Sequence, residues 1–293
     1  MTMDVNPLIR HDVSLAPRTY FGIGGPAKLY AEPRNDAELA ALLRKFKKDG
    51  ERIYILGGGT NLLVSDKGVN GAVIRLTNAY EFCEFVPDST RVRIGAAHSL
   101  AGLVHKSVQR GLAGVEGLGG IPGTFGGAAF MNAGGRHGNI GDVITSLALM
   151  DWDGNVHILA RDQLRFEYRN SNLDGVVLRA ELEMTKGDPE ALAAQMKEVL
   201  HKKQESQPMS AKSAGCVFKN PPGGAAGALI DQVGLKGRTV GGAQVSTQHA
   251  NFIINTGGAR AADVLELIRM VQEKVKSEKG ICLELEIKLW GFD

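Results

Sequence analysis

The stretch KSAGCVFKNP, Lys212 to Pro221, sets a thiol among small residues, with Ser213, Lys219 and Asn220 close by. Cys216 can serve as a nucleophile, a metal ligand, a proton donor or a small packing residue. A nucleophilic cysteine needs a positioned base to draw off its proton, and no histidine accompanies it locally. A metal site needs further ligands at short spacing, yet the three cysteines, Cys83, Cys216 and Cys282, lie far apart and form no CxxC pair. Their odd number and wide separation offer no disulfide framework either. Cys83 and Cys282 fall in apolar, strand-like stretches and are expected to be small core residues. His98, His105, His201 and His249 show no metal-ligand spacing and are assigned no chemistry; packing is the expected role of His249, and no metal is expected.

The second chemical signal is glycine. The chain holds 38 glycines in 293 residues, well above the average usage of about 7%. They gather in FGIGGPA, ILGGGTNLL, GVEGLGGIPGTFGGAAFMNAGG and NPPGGAAGA. Glycine lets backbone approach a ligand closely, and successive N–H groups at a turn or helix start bind phosphate. Two such loops in one chain, ILGGGTNL and GGIPGTFGGAAFMNAGG, can grip one extended pyrophosphate from two sides. The GxGxxG fingerprint with its later acidic residue is missing, as is GxxxxGK[ST], so neither a doubly wound dinucleotide fold nor a P-loop ATPase is indicated.

The elements that must carry these residues alternate. NDAELAALLRKFKKDG opens with an Asx cap and ends at glycine, which predicts an amphipathic helix over 36–48. RIYIL and GAVIRL read as strands around the first glycine loop, YEFCEF and RVRIGAA as further strands, and SLAGLVHKSVQRGL as a helix capped by Ser99. DVITSLALMDWDGNVHIL reads as a hairpin turning at Asp153-Gly154. RDQLRFEYRNSNLDG is expected to be a short helix and loop, and VVLRAELEMT a strand. DPEALAAQMKEVLHKKQES is a long polar-faced helix joining two units, with a boundary near Lys186 to Gln207. The remainder carries the Cys216 segment, a helix GALIDQVGL, strands GAQVS and ANFIIN, a long helix RAADVLELIRMVQEKVKSEK and a final strand CLELEIKLW.

With 43% hydrophobic and 23% charged residues, the chain is ordinary globular material with enough length for two or three cores. A net charge of +2 makes no general case for nucleic acid or membrane, though it leaves room for a local basic cluster around an anionic small molecule. No signal peptide or membrane span is read, and the expected location is the cytoplasm.

YILGGGTNLLVSD, GIPGTFGGAAFMNAGG, YRNS, SAGCVFKNP, GAQVSTQHANFIIN and LELEIKLWG occur in that order. In this order the chain resembles the UDP-N-acetylenolpyruvoylglucosamine reductase family, from about Pro17 to Gly291, and TYFGIGG resembles that family's N-terminal pattern. The short interval between YRNS and SAGC resembles its second subtype, which lacks an inserted tyrosine-bearing loop, so the means of shielding the site stays open. The resemblance implies an α+β fold: a two-subdomain FAD-binding unit of the vanillyl-alcohol oxidase type, residues 1–77 and 78–186, plus a C-terminal α+β substrate-binding domain, residues 187–293.

The implied activity is NADPH-dependent reduction of UDP-N-acetylglucosamine enolpyruvate through noncovalent FAD, in peptidoglycan precursor synthesis, by a protein expected to be monomeric. NADPH would bind and leave before the substrate enters the same cleft. FAD contacts would fall on Gly57, Gly58, Gly59, Thr60, Asn61 and Leu62, and on Ile121, Pro122, Gly123, Thr124, Gly126, Gly127 and Ala128. Reducing an enolpyruvyl ether needs a hydride at the terminal alkene carbon, a proton at the carbon bearing the carboxylate, and a cation or hydrogen-bond donor where the enolate charge develops. By the family motifs, Arg169 of YRNS and Glu286 of LELE would stabilise that enolate and Cys216 would donate the proton. Burial is expected to raise the pKa of Glu286. Glu284 is the rival carboxylate, because strand alternation puts 284 and 286 on one face.

Cys216 departs from the serine expected at this position in many family members. A thiol, with a reference pKa of about 8.5, is the stronger acid and is oxidisable. Tyr168, Lys219, Asn220 and Arg238 are the candidate substrate contacts, with Lys203 a further one. The competing readings are a flavin oxidase, a nucleotide-sugar or flavin binding module without turnover, and a thiol hydrolase.

Overall fold

The computed structural model describes residues 3–292. The chain forms two compact units, and neither is continuous in sequence. Unit 1 comprises the chain up to His11, Leu29–Gly58 and Gly71–Lys202; unit 2 comprises Asp12–Lys28, Gly59–Asn70 and the chain from Lys203 on.

Unit 1 begins its first helix, α1 (Asp36–Lys48), after Asn35, whose backbone is extended and whose side chain accepts the Glu38 N–H at 2.9 Å. Asp36 and Glu38 in the first turn and Lys45, Lys47 and Lys48 in the last complement the helix dipole. Leu39, Leu42, Leu43 and Phe46 recur at helical spacing and are fully buried, each contributing about 1.5–3 kcal/mol of apolar burial. This face helps cover a four-stranded sheet in the order Ile9–Ser14, Pro26–Ala31, Val69–Arg75, Ile53–Leu56. The last two strands run parallel, as a strand, crossover and strand require.

A second, antiparallel sheet has the order Val156–Ala160, Ile144–Met150, Val176–Glu183, Arg91–Gly95, Cys83–Phe85. The hairpin 144–160 forms as the sequence predicts, because Asp151 accepts the Asp153 and Asn155 N–H groups and closes its turn. Helix α2 (Leu100–Gln109) starts at Ser99, whose hydroxyl accepts the Gly102 N–H at 3.3 Å. The short α3 (Phe125–Phe130) starts at Thr124, whose hydroxyl accepts the Gly127 N–H at 3.4 Å. Helix α4 (Pro189–Ser206) carries the chain out of unit 1.

Unit 2 is built on one face of α6 (Ala261–Lys279), where Val264, Leu267, Ile268, Val271 and Val275 are buried. They share a core with Phe21, Ile23, Leu63, Val217, Phe218, Ile287 and Ile230 of the short α5 (Ala226–Gln232). Asp66 accepts the Ala261 and Ala262 N–H groups at 2.7 and 3.0 Å, and Asp263 accepts the Arg260 N–H at 2.9 Å, so two carboxylates satisfy the first turn of α6. Gly280 ends it in the left-handed conformation, φ 70°. A three-stranded sheet, Thr239–Val240, Ala243–Val245, Ile253–Asn255, lies in this unit, and strand Lys288–Trp290 runs parallel to Leu62–Val64.

Three expectations are corrected here. The final strand spans only Lys288–Trp290, preceded by a single bridge at Leu285, because the Val217 carbonyl accepts both the Glu286 and the Ile287 N–H, at 2.8 and 3.4 Å. That doubled contact interrupts the ladder as a bulge does. Cys282, placed just beyond the turn at Gly280 and outside that strand, is exposed; Cys83 is half-buried against the core of unit 1. Residues 161–172 form a 3-10 turn, Arg161–Gln163, and a hairpin pairing Phe166–Glu167 with Asn170–Ser171, in place of a helix and open loop.

Candidate active site

In unit 1 the two glycine segments meet. A Cβ on Gly58 would stand 2.7 Å from the Gly123 Cα, and one on Gly57 would stand 2.9 Å from the Thr124 Oγ1. Backbone therefore lies against backbone, and a side chain at Gly58 would fill the space between the loops. The second loop is tied to the start of α2: Leu100 donates to the Gly123 carbonyl at 3.0 Å and Phe125 to that of His98 at 2.8 Å. Gly126 packs on Ala96, where a Cβ would come within 2.9 Å of the Ala96 Cβ. Ala128 is buried, Ile121 half-buried against the core, and Pro122 and Gly127 are exposed. A flat, wide group with a diphosphate fits such a ledge, which offers main-chain amides and small residues in place of bulky side chains.

Also in unit 1, Tyr168 and Arg169 form the two-residue loop of the hairpin 166–171. Arg169 has φ 56°, a left-handed backbone that costs a branched or long residue roughly 1–2 kcal/mol. Its guanidinium stands 5.1 Å from the centre of the Tyr168 ring, and Tyr168 is 52% exposed. Beside them is a cavity of about 320 Å³ lined by Asn132, Gly135, Asn139, Asp142, Phe166, Glu167, Tyr168 and Arg169.

In unit 2, Cys216 lies in a segment held from both sides. Cys216 bridges Phe252 and Phe218 bridges Leu285, both antiparallel. Asn251, 3% exposed, clamps the segment: its carbonyl accepts the Val217 N–H at 2.8 Å, its Oδ1 the Phe218 N–H at 2.9 Å, and its Nδ2 donates to the Phe218 carbonyl at 2.8 Å. On the other side Glu286 donates its N–H to the Val217 carbonyl, which makes the backbones of the proton-donor candidate and the carboxylate candidate neighbours. The Cys216 residue is half-buried.

The two glutamates part company here. Glu284 has a side chain 76% exposed with an oxygen 3.4 Å from the Lys219 Nζ, whereas Glu286 is half-buried. The Glu286 carbonyl accepts the Asn61 Nδ2 at 3.1 Å, and the Asn61 carbonyl accepts the Lys288 N–H at 3.0 Å. Within unit 2, the second half of the first glycine segment, Gly59 to Leu62, is thus tied to the segment running from Glu286 into the last strand. Gly59 itself has φ 64°, and a Cβ there would meet the Arg18 carbonyl at 2.0 Å.

The Asn220 Oδ1 accepts the Ala226 N–H at 3.0 Å and so holds the start of α5. Arg238 is exposed in the turn before Thr239, and Lys203 is in the last turn of α4. His249 packs edge-on to Phe252, centroids 5.0 Å apart, and its Nδ1 accepts the Asn251 N–H at 3.2 Å. Burial, aided by Lys236, holds its pKa below the ordinary value. Residue patterns overlooked Asn251 and Asn132; the available signal was an amide in the middle of the apolar runs HANFIIN and FMNAGG. Among the described residues no three or more His, Cys, Asp or Glu side chains gather to hold a metal, and no helix is long and apolar enough to cross a membrane.

A profile described as the C-terminal domain of UDP-N-acetylenolpyruvoylglucosamine reductase matches residues 207–290, and one described as an FAD binding domain matches residues 27–160. The UDP-N-acetylenolpyruvoylglucosamine reductase of Moorella thermoacetica is 43% identical over 287 residues, 97% of this chain and 92% of that one. The chain belongs to the UDP-N-acetylenolpyruvoylglucosamine reductase family. A reductase of the family from Anaeromyxobacter dehalogenans is 44% identical over 282 residues, 96% of this chain and 85% of its own. The crystal structure of the family's reductase from Thermus caldophilus superposes with a TM-score of 0.84 at 41% identity, covering 96% of this chain and 99% of that one. The α+β fold, an FAD-binding part followed by the reductase C-terminal domain, is therefore that of the reductase family. A variant of Phl p 4, a glucose oxidase, shares the fold alone: TM-score 0.51 at 15% identity over 64% of this chain and 43% of that one. Family membership and the FAD binding domain make the chain an FAD-dependent oxidoreductase.

Proposed function

We propose that this oxidoreductase uses NADPH to reduce the enolpyruvyl double bond of UDP-N-acetylglucosamine enolpyruvate, giving UDP-N-acetylmuramate, as a cytoplasmic monomer in peptidoglycan precursor synthesis. The observation that carries the reading is the clamped Cys216 segment bonded to the backbone of Glu286, in a chain more than 40% identical to named reductases over nearly its whole length. FAD, when bound, supplies the relay of a hydride from NADPH to the terminal alkene carbon. Gly57, Gly58, Gly123 and Thr124 would hold it through main-chain groups, with Gly59, Thr60, Asn61 and Leu62, and Ile121, Pro122, Gly126, Gly127 and Ala128, completing the contacts.

The protein's own task is to manage charge and one proton. Arg169, permanently charged and forked, stabilises negative charge as it spreads into the substrate carboxylate. Cys216 then gives its Sγ proton to the carbon bearing that carboxylate, and the thiolate is reprotonated from water before the next turnover. Glu286 completes the enolate site by hydrogen bonding in its neutral form or by orienting Arg169. Tyr168, Lys219, Asn220 and Arg238 contact the nucleotide sugar.

We also propose residues 1–77 and 78–186 as the two FAD-binding subdomains and 187–293 as the substrate-binding domain. In support, the strands of the four-stranded sheet all precede Leu76 and those of the five-stranded sheet all follow Phe82.

Anaerobic half-reactions test the scheme. Cys216→Ala is expected to bleach with NADPH at the parental rate and to recover colour with the enolpyruvyl substrate slower by about 10²–10⁴-fold, while Cys216→Ser stays active. An alanine variant recovering at the parental rate would remove Cys216 from the mechanism.

A further inference from the structure

We infer that Asn132 is a positioning residue for Arg169, fastening the Arg169 hairpin to the far end of the helix that begins in the glycine ledge. The inference rests on the role of Arg169 proposed above. The hairpin has only two residue pairs, Phe166 with Ser171 and Glu167 with Asn170. A ribbon that small does not stand alone in water, and the left-handed Arg169 at its tip strains it further. Its place must be set by what it is tied to.

The ties converge on the C-terminal end of α3. The Asn132 Nδ2 donates to the Glu167 carbonyl at 2.9 Å, one residue before the Tyr168-Arg169 loop, and its Oδ1 accepts the Gly141 N–H at 3.1 Å. The Ser171 hydroxyl donates to the Phe130 carbonyl at 2.7 Å, on the opposite strand of the hairpin. Phe166 sits on Gly141, where a Cβ would come within 2.5 Å of its ring. The other end of α3 is Thr124, in contact with Gly57. Six helical residues rise about 9 Å, so α3 is a short strut with the ledge at one end and both hairpin anchors at the other.

Position 132 selects asparagine twice. Its backbone is left-handed, φ 44°, a conformation that asparagine, aspartate and glycine tolerate best. Its amide is 5% exposed and needs one donor and one acceptor, which only the carboxamide supplies. Aspartate keeps the backbone preference and the acceptor for Gly141 but loses the donor to Glu167. Glycine keeps the backbone alone.

The test uses the FAD-loaded full chain. In Asn132→Asp, the amides of residues 166–171 are expected to exchange hydrogen about tenfold faster, the worth of one lost buried hydrogen bond, while residues 124–130 keep their protection. Return of flavin colour with the enolpyruvyl substrate slows about tenfold, with bleaching by NADPH within about twofold of the parent. Asn132→Gly behaves likewise, and Ser171→Ala shows the same pattern more weakly. Unchanged exchange at 166–171 in a folded Asn132→Asp variant overturns the inference, as does a loosened hairpin with unchanged colour recovery. Should Asn132→Asp fail to fold, Ser171→Ala decides by the same two criteria. Arg169→Ala at the parental rate, with the hairpin loosened in Asn132→Asp, would refute the role of Arg169 alone; a slow Arg169→Ala beside an unmoved Asn132→Asp hairpin refutes the positioning role alone.

Discussion

Arg169 pairs a costly backbone with a side chain that the proposed chemistry needs, and the two separate experimentally. Glycine at φ 56° removes a strain of roughly 1–2 kcal/mol, partly offset by the greater freedom of glycine in the unfolded chain. Arg169→Gly is therefore expected to leave stability unchanged or raised by up to about 1 kcal/mol in urea denaturation, while turnover is lost. A fall in stability of more than that would show that the guanidinium is needed for folding. Glu286 and Glu284 separate in the same way. Glu284 is exposed and paired at 3.4 Å with Lys219, an arrangement worth no more than about 1 kcal/mol. Glu286→Gln is expected to slow substrate reduction far more than Glu284→Gln, and equal losses in steady-state assays would move the assignment.

At the scale of elements, the ledge rests on two glycine segments lying backbone to backbone. Gly58→Ala would drive a methyl to 2.7 Å from the Gly123 Cα, closer than real Cβ contacts allow, so one loop must move. The expected result is a folded protein, judged by circular dichroism, whose 450 nm flavin absorbance per chain is largely lost; full flavin content would mean that the loops have slack. The helices were legible beforehand because their signals are local: Asn35, Ser99 and the spacing of Leu39, Leu42, Leu43 and Phe46 need no distant partner. The Arg169 hairpin and the shortened last strand were not. Two-residue strands have no periodicity, and the bulge opposite Val217 exists only because a segment some 70 residues earlier supplies the shared carbonyl. Cys216 and the glycine loops stood out by composition, whereas Asn132 and Asn251 act on backbone groups far from them in sequence, which no local pattern reveals.

For the molecule as a whole, acid acts through groups that the fold keeps deprotonated. The pKa of His249 is lowered from 6.5, chiefly by burial, and that of Asp263 from 3.8, chiefly by the Arg260 N–H. Both bind fewer protons folded than unfolded, so both favour folding more as pH rises. The His249 contribution is complete above 6.5 and is lost as pH falls through its lower folded value; that of Asp263 is complete above 3.8 and is lost in stronger acid. Protonating Nδ1 also removes the acceptor for the N–H of Asn251, the residue whose other groups clamp the Cys216 segment. Denaturation midpoints of His249→Gln, measured from about pH 7 to pH 5, are expected to slope less than the parent's; an identical slope would clear His249 of any part in acid sensitivity.

Unit 2 draws Phe21, Ile23 and Leu63 into a core completed by Val217, Ile268 and Ile287, and residues 71–202 lie between the two contributions. During vectorial synthesis, those early apolar side chains emerge long before their partners and must be kept from sticking elsewhere while the intervening unit condenses. The expected burden is a dependence on holdase chaperones, and a refolding rate limited by the closure that brings Leu62–Val64 alongside Lys288–Trp290.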